Sequence, residues 1–113
     1  QDCKENISAS VIIENAENRI FTNFIVLTEV VSVSKRKDKD YDTISDTILS
    51  LSKIFYDDVQ FFIEVGLLHA EIKQKIKDFG LVDAFVLAAA RKLDAKIVTG
   101  DPHFKNFKET IMI

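Results

Sequence analysis

Apolar residues recur at intervals of three and four positions along much of the chain, which is the spacing of amphipathic helices. In the segment 24–35 the apolar side follows Phe24, Val30 and Val31, and the segment 81–93 is almost wholly apolar up to Ala90. That last segment has the pattern of a helix buried against a sheet. The predicted helices are residues 4–18, 24–35, 41–55, 67–79 and 81–93, with Gly80 as the cap that ends the fourth.

Four short segments between these helices are rich in β-branched and aromatic residues, which favour strands. The stretch 35–40 has no apolar residue and predicts an exposed connection. Because strands alternate with helices, we expect an α/β fold with a central, mostly parallel sheet flanked by helices. No repeat or linker interrupts this order, so residues 1–113 are expected to form a single domain. The predicted strands are residues 19–23, 59–65, 96–99 and 110–113.

Length and composition narrow the class of protein. A chain of 113 residues can fold without disulfide bonds or a structural metal, and its only cysteine, Cys3, cannot form an internal disulfide. No apolar run approaches the roughly 20 residues that span a bilayer, and no signal sequence opens the chain. We therefore expect a cytoplasmic protein. Its 18 acidic and 15 basic residues give a net charge of −3, unlike the basic footprint of a general nucleic-acid coat protein.

Three acidic residues lie where packing does not account for them. Glu29 is the only charge within the mostly apolar residues 24–33, Asp83 lies near the start of the buried helix, and Asp101 follows a strand. Each has an ordinary alternative: a solvent-facing position, a first-turn acid that complements the helix dipole, and an Asp-Pro turn. Together they can converge at the carboxyl edge of the sheet and hold Mg²⁺ for phosphodiester hydrolysis. Thr99 either hydrogen-bonds a carboxylate or metal-bound water there, or is simply a β-branched strand residue.

Two segments resemble the C-terminal half of a PIN domain. They are residues 80–90 (GLVDAFVLAAA) and 94–104 (DAKIVTGDPHF), in which an aspartate opens an Ala-rich helix and a strand ends in Thr-x-Asp. The segment 22–30 (TNFIVLTEV) is similar to the strand-to-helix segment that carries the second acid of the family. The resemblance extends from about residue 20 to the end of the chain, and it implies a three-layer α/β fold.

The resemblance also implies a function. PIN domains are Mg²⁺- or Mn²⁺-dependent ribonucleases, typified by VapC toxins that a partner antitoxin neutralises. Carried over to this chain, Glu29, Asp83 and Asp101 are the expected metal ligands and catalytic residues, with Thr99 as the hydroxyl beside the last. RNA is the expected substrate. A homodimer is expected as well, because the family often forms one. In addition, the first predicted helices have more apolar residues than a single buried face of a helix normally contains.

The start of the chain departs from the family pattern. PIN domains open with a strand that ends in an aspartate, and no such strand precedes the first predicted helix; Asp2 fits a helix cap better. We therefore expect residues 1–113 to lack that strand and the first acid, either because a segment of the protein precedes residue 1 or because the domain is a variant without the strand. A second hypothesis is thus a non-catalytic PIN-like binding or assembly module, and a third is a receiver-like or flavodoxin-like domain. His69 and His103 are expected at the surface, with His103 close enough to Asp101 to touch a substrate.

Overall fold

The computed structural model describes residues 12–15, 19–55 and 57–113. A 3-10 turn at Pro102–Phe104 follows the fourth strand. Helices and parallel strand pairs together confirm the α/β class. Within these residues no helix is long and apolar enough to cross a membrane. Helices α1 to α4 are Phe24–Arg36, Tyr41–Leu51, Val59–Lys73 and Leu81–Lys92, and strands β1 to β5 are Ile12–Asn15, Ile20–Asn23, Lys53–Phe55, Ala95–Thr99 and Thr110–Met112.

The strands form one five-stranded sheet in the order β3-β2-β1-β4-β5. Strand β2 is parallel to β3 and β4 is parallel to β5, whereas the central β1 is antiparallel to both β2 and β4. All strands except β1 therefore run in one direction, as expected for a mostly parallel sheet. The carboxyl ends of β2 and β4 consequently lie at the same edge, which is where ligands collect in α/β sheets.

Strand β1 shows that the helix predicted over residues 4–18 is wrong at Ile12–Asn15. This segment pairs with a strand on each side, and the Ile13 side chain is 1% exposed. Residues 11–13 are a short apolar run, and periodicity alone does not separate such a run in a strand from part of a buried helix. The strand occupies the centre of the sheet, between β2 and β4. Asp2 and the other residues of the predicted helix lie outside the described residues.

Residues 59–65, predicted as a strand, form the first half of helix α3. The Asp58 side chain caps this helix by accepting a hydrogen bond from the backbone N–H of Phe61 at 3.0 Å. Phe61 and Val65, four residues apart, are both buried, so the segment follows the helical period in spite of its aromatic and β-branched composition. The helix predicted over residues 67–79 is accordingly the end of a longer helix that stops at Lys73.

Two other predicted boundaries are also wrong. The helix predicted over residues 41–55 ends at Leu51, because Ser52 is extended and its Oγ lies 2.7 Å from Oγ1 of Thr22 in β2. The chain then runs beside β2 as β3. Gly80, predicted to end the preceding helix, is instead the N-cap residue of α4.

Helix α4 lies at the centre of the core, as its apolar sequence predicts. Ala84, Leu87, Ala89 and Ala90 are fully buried, and the helix packs against β1, β2 and β4. The small alanines let the helix backbone approach the sheet, while Leu87 fills the space between them. This packing fixes the start of α4 at the carboxyl edge of the sheet.

Candidate metal centre

The carboxyl edge of the sheet is organised by a buried asparagine at the end of β2. Asn23 is 1% exposed, and its Oδ1 accepts a hydrogen bond from the backbone N–H of Ile25 at 3.0 Å, which caps α1. Its Nδ2 donates to the carbonyl oxygen of Phe85 in α4 at 3.2 Å. One side chain therefore fixes the start of α1 against α4, and both of its own polar atoms, which burial would otherwise leave unpaired, have a partner.

Asp83 is the third residue of α4. Its Oδ2 accepts a hydrogen bond from the backbone N–H of Gly80 at 2.9 Å, which closes the first turn of the helix. The side chain is only 16% exposed, and this burial raises the pKa of Asp83. The Gly80 bond opposes that rise, and the negative charge of Asp101 adds to it. Asp83 therefore caps its helix and also faces a second carboxylate.

Asp101 is held by the turn that it begins. The backbone N–H of Asp101 donates to Oγ1 of the fully buried Thr99 at 3.0 Å, and Asp101 Oδ1 accepts from the backbone N–H of His103 at 2.9 Å. Thr99 therefore orients Asp101 through the backbone. The Asp-Pro turn considered from sequence is present, and it is what places the carboxylate.

His103 contacts three carboxylates. Its Nδ1 lies 3.2 Å from Asp101 Oδ1 and 3.5 Å from Asp83 Oδ2, and its Nε2 lies 3.1 Å from Asp78 Oδ2. The hydrogen bond with Asp78 is the largest cause of a raised His103 pKa, and the charges of Asp101 and Asp83 act in the same direction. The same contact lowers the pKa of Asp78. The sequence places His103 at the surface, and its contacts with the acids were not predicted.

Two buried phenylalanines hold the segments that meet here. Phe79 follows Asp78, Phe104 follows His103, and both phenylalanines are fully buried. Their rings meet edge to face with centroids 6.2 Å apart. Since residues 78 and 103 are 25 positions apart in sequence, this aromatic contact is what brings Asp78 to His103.

The ligand atoms of Asp83, Asp101 and His103 all lie within 4.8 Å of one another. Carboxylate oxygens and imidazole nitrogens are both common ligands of divalent cations. Burial and repulsion by Asp101 disfavour the charged form of Asp83 and so raise its pKa, and a bound cation would favour that charged form. The donor set therefore fits a divalent metal.

Glu29 does not join this group in the part of the chain that the structure describes. It is exposed on α1 beside the buried Val30. Of the three predicted acids, the structure thus brings Asp83 and Asp101 together and leaves Glu29 apart from them. Pro102, which starts the tight turn after Asp101, is the sequence signal that could have directed attention to the next residue.

The mixed sheet, the helix buried against it and the carboxylate pair at its carboxyl edge define an α/β protein with a candidate divalent-cation site. The PIN domain family model matches residues 3–109, and the chain belongs to the PIN domain family. PIN domains are generally nucleases that act on RNA and use divalent metals. The receiver-like and flavodoxin-like alternative is therefore wrong. No curated protein and no solved structure was found to match the chain.

Proposed function

We propose that this chain is a metal-dependent endoribonuclease of the VapC type, a cytoplasmic toxin in which residues 1–113 act as a single PIN-like domain. The observation that carries the proposal is the meeting of Asp83 and Asp101 at the carboxyl edge of the sheet, each fixed by its own backbone hydrogen bonds. Two carboxylates with oxygens within 4.8 Å of each other at a partly buried position are unfavourable alone and favourable around a cation.

Asp83 and Asp101 would hold Mg²⁺ or Mn²⁺, and Glu29 on α1 is the proposed third acid. When bound, the cation lowers the pKa of a water ligand and offsets charge on the phosphodiester. The N–H of Gly80 holds the Asp83 carboxylate in place, and Thr99 does the same for the backbone of Asp101. Because both acids are fixed by contacts within the chain, Asp83 and Asp101 require little rearrangement to bind a cation.

Exposed lysines flank the two segments that meet at the centre. Lys77 precedes Asp78, and Lys105 follows the buried Phe104. Lysine side chains bind phosphates without reading sequence, so these two are proposed to hold the RNA backbone while the acids act on one phosphodiester. The net negative charge of the chain does not oppose this, because only local charge is required at the site.

A cleavage assay with variants tests the enzyme. The purified chain is incubated with a fluorescent single-stranded RNA and MgCl₂ or MnCl₂. Asp83→Asn and Asp101→Asn are each expected to lower the cleavage rate about 100-fold or more, because a catalytic cation contributes several kcal/mol. Asn at position 83 can still accept the Gly80 hydrogen bond, which preserves the helix start. Asp46→Asn, an exposed acid on α2, is the matched control. Cleavage that persists in EDTA would contradict the proposed metal dependence.

The second candidate is a PIN-like domain that binds or assembles without catalysis. The observation that favours it is the presence of only two carboxylates in the ligand group of the described residues, with Glu29 apart from them. A folded chain that binds RNA in a gel-shift assay, takes up no Mg²⁺ or Mn²⁺ in calorimetry and cuts nothing would establish this candidate. Metal uptake with cleavage would eliminate it.

We also propose a homodimer, supported by exposed apolar side chains on α3. Val59, Ile63 and Leu67 recur every four residues and are 71%, 52% and 67% exposed. Light scattering of Ile63→Lys against the control Ser50→Lys, which adds the same charge at an exposed position on α2, tests this surface; a wild-type monomer contradicts it. The antitoxin partner is tested by growth arrest on expression of the chain and its relief by the product of the neighbouring gene.

A further inference from the structure

Asp78 and His103 are the part of the centre that the predicted acids do not account for. Asp78 Oδ2 lies 3.1 Å from His103 Nε2, while the other ring nitrogen lies 3.2 Å from Asp101 Oδ1 and 3.5 Å from Asp83 Oδ2. The ring therefore presents one nitrogen to each side, with a single carboxylate behind it and the carboxylate pair in front. Asp78 is 77% exposed, so burial does not require it to have this partner.

This arrangement matches the way proteins orient a histidine that binds metal. A ligating histidine usually donates its other ring N–H to a carboxylate, which fixes the tautomer and the direction of the ring. When Nε2 carries the proton shared with Asp78, Nδ1 presents a lone pair toward Asp83 and Asp101. Neighbouring ligands in an octahedral site with bonds of about 2.1 Å lie about 3 Å apart, so the observed spacings of 3.2 and 3.5 Å are close to it.

We propose that Nδ1 of His103 is a ligand of the metal at this centre, that Asp78 is the positioning residue for it, and that the centre prefers Mn²⁺ to Mg²⁺. This inference rests on the proposed function. Mg²⁺ prefers oxygen ligands and retains its waters, whereas an imidazole nitrogen suits first-row transition cations better. Replacing one oxygen ligand by His103 therefore shifts the preference of the centre without changing its place in the fold.

The alternative is that His103 acts only as a positive charge that balances Asp83 and Asp101. The two roles predict opposite signs. Loss of a ligand weakens the binding of Mn²⁺ selectively, whereas loss of a competing positive charge strengthens the binding of Mg²⁺ and Mn²⁺ alike. The direction of the change in Mn²⁺ affinity and the ratio of the two affinities therefore both separate the roles.

The test is calorimetric titration of the whole chain with MnCl₂ and with MgCl₂. His103→Asn and Asp78→Asn are each expected to lower Mn²⁺ affinity about tenfold, with little change for Mg²⁺. The matched control is His69→Asn, which removes the other histidine of the chain; its ring hydrogen-bonds the carbonyl oxygen of Phe79, and within the described residues it is not part of the ligand group. Electron spin-echo spectroscopy of bound Mn²⁺ should show imidazole nitrogen coupling in the wild type and none in His103→Asn.

The outcomes are distinct. Equal changes for both cations in His103→Asn, or a rise for both, overturn the ligand role and leave the proposed function intact. If either variant fails to fold by circular dichroism, the wild-type spectrum decides, because Mn²⁺ bound without nitrogen coupling overturns the ligand role by itself. A wild-type chain that binds neither cation overturns both this inference and the proposed function.

Discussion

Replacing Asp83 by asparagine should stabilise the metal-free protein while removing a ligand of the proposed metal centre. In the folded chain the Asp83 carboxylate is 16% exposed and faces Asp101, and both conditions disfavour its charge. Asparagine has nearly the same shape and still offers an oxygen to the N–H of Gly80. The substitution therefore removes the unfavourable charge and retains the helix cap.

The size of the effect follows from the spacing of the ligand atoms. Two unit charges 4.8 Å apart, the largest separation within the group, repel by about 1 kcal/mol in water and about 3.5 kcal/mol at an effective dielectric constant of 20. His103 offsets part of this repulsion. Replacing a charged acceptor by a neutral one weakens the Gly80 hydrogen bond by about 1 kcal/mol. The expected net gain for Asp83→Asn is about 1 kcal/mol, or about 4 °C in Tm.

Thermal unfolding as a function of pH is the assay. The folded-state pKa of Asp83 lies above its ordinary value of 3.8, so the wild type loses stability as the pH rises from 3.8 through the folded pKa. Below 3.8 the residue is neutral in both states and the wild type should match the variant. The difference in Tm should therefore open with rising pH. Adding MnCl₂ should stabilise the wild type and leave Asp83→Asn unchanged, because only the wild type keeps its full set of ligands.

A lower Tm for Asp83→Asn than for wild type at pH 7 without metal would refute the reasoning. That result would mean that the charge of Asp83 contributes more to the start of α4 than it loses by facing Asp101. Asp46→Asn, which removes an exposed acid on α2, controls for the change in net charge.

Two further substitutions test the packing that places the centre. Leu87→Ala removes a fully buried side chain from α4 and should lower the free energy of unfolding by about 2–5 kcal/mol in urea, whereas Leu49→Ala, 51% exposed, should have a much smaller effect. Asn23→Asp keeps the acceptor that caps α1 but loses the donor to Phe85, and Asn23→Ala loses both. In urea unfolding the aspartate variant should be destabilised by about 1–3 kcal/mol, and an unchanged stability would show that the Phe85 carbonyl finds another donor.

The elements that the sequence predicts correctly are those whose local signals agree with their surroundings. Helix α4 combines good helix formers with an apolar surface on most sides, and it is buried as that composition indicates. The sequence predicts a strand at the start of helix α3, because Phe61 and its neighbours favour strands. The Asp58 cap and packing against α4 stabilise a helix there instead. Strand β1 illustrates the same limit of local sequence signals, because its pairing with β2 and β4 cannot be inferred from residues 12–15 alone.

The candidate site divides in a similar way. Asp83 and Asp101 can be found from sequence because each follows a local signal, the start of a buried helix and the end of a strand. His103 and Asp78 cannot be found in that way. Their approach depends on the contact between Phe79 and Phe104, which joins distant positions through the core. Local patterns carry no information about that pairing beyond the turn that Pro102 begins.

The reversed direction of β1 determines which segments can supply acids to the centre. Because β1 is antiparallel to its neighbours, it ends at Asn15, opposite Ala95 at the start of β4. The carboxyl end of β1 therefore lies at the edge of the sheet opposite to Asp101. Among the described residues the ligand group comes from α4 and the turn after β4, and the central strand is not part of it. The described part of the metal centre thus comes from segments on either side of β1. Its chemistry depends on the turns after α3 and β4, which carry Asp78, Asp101 and His103.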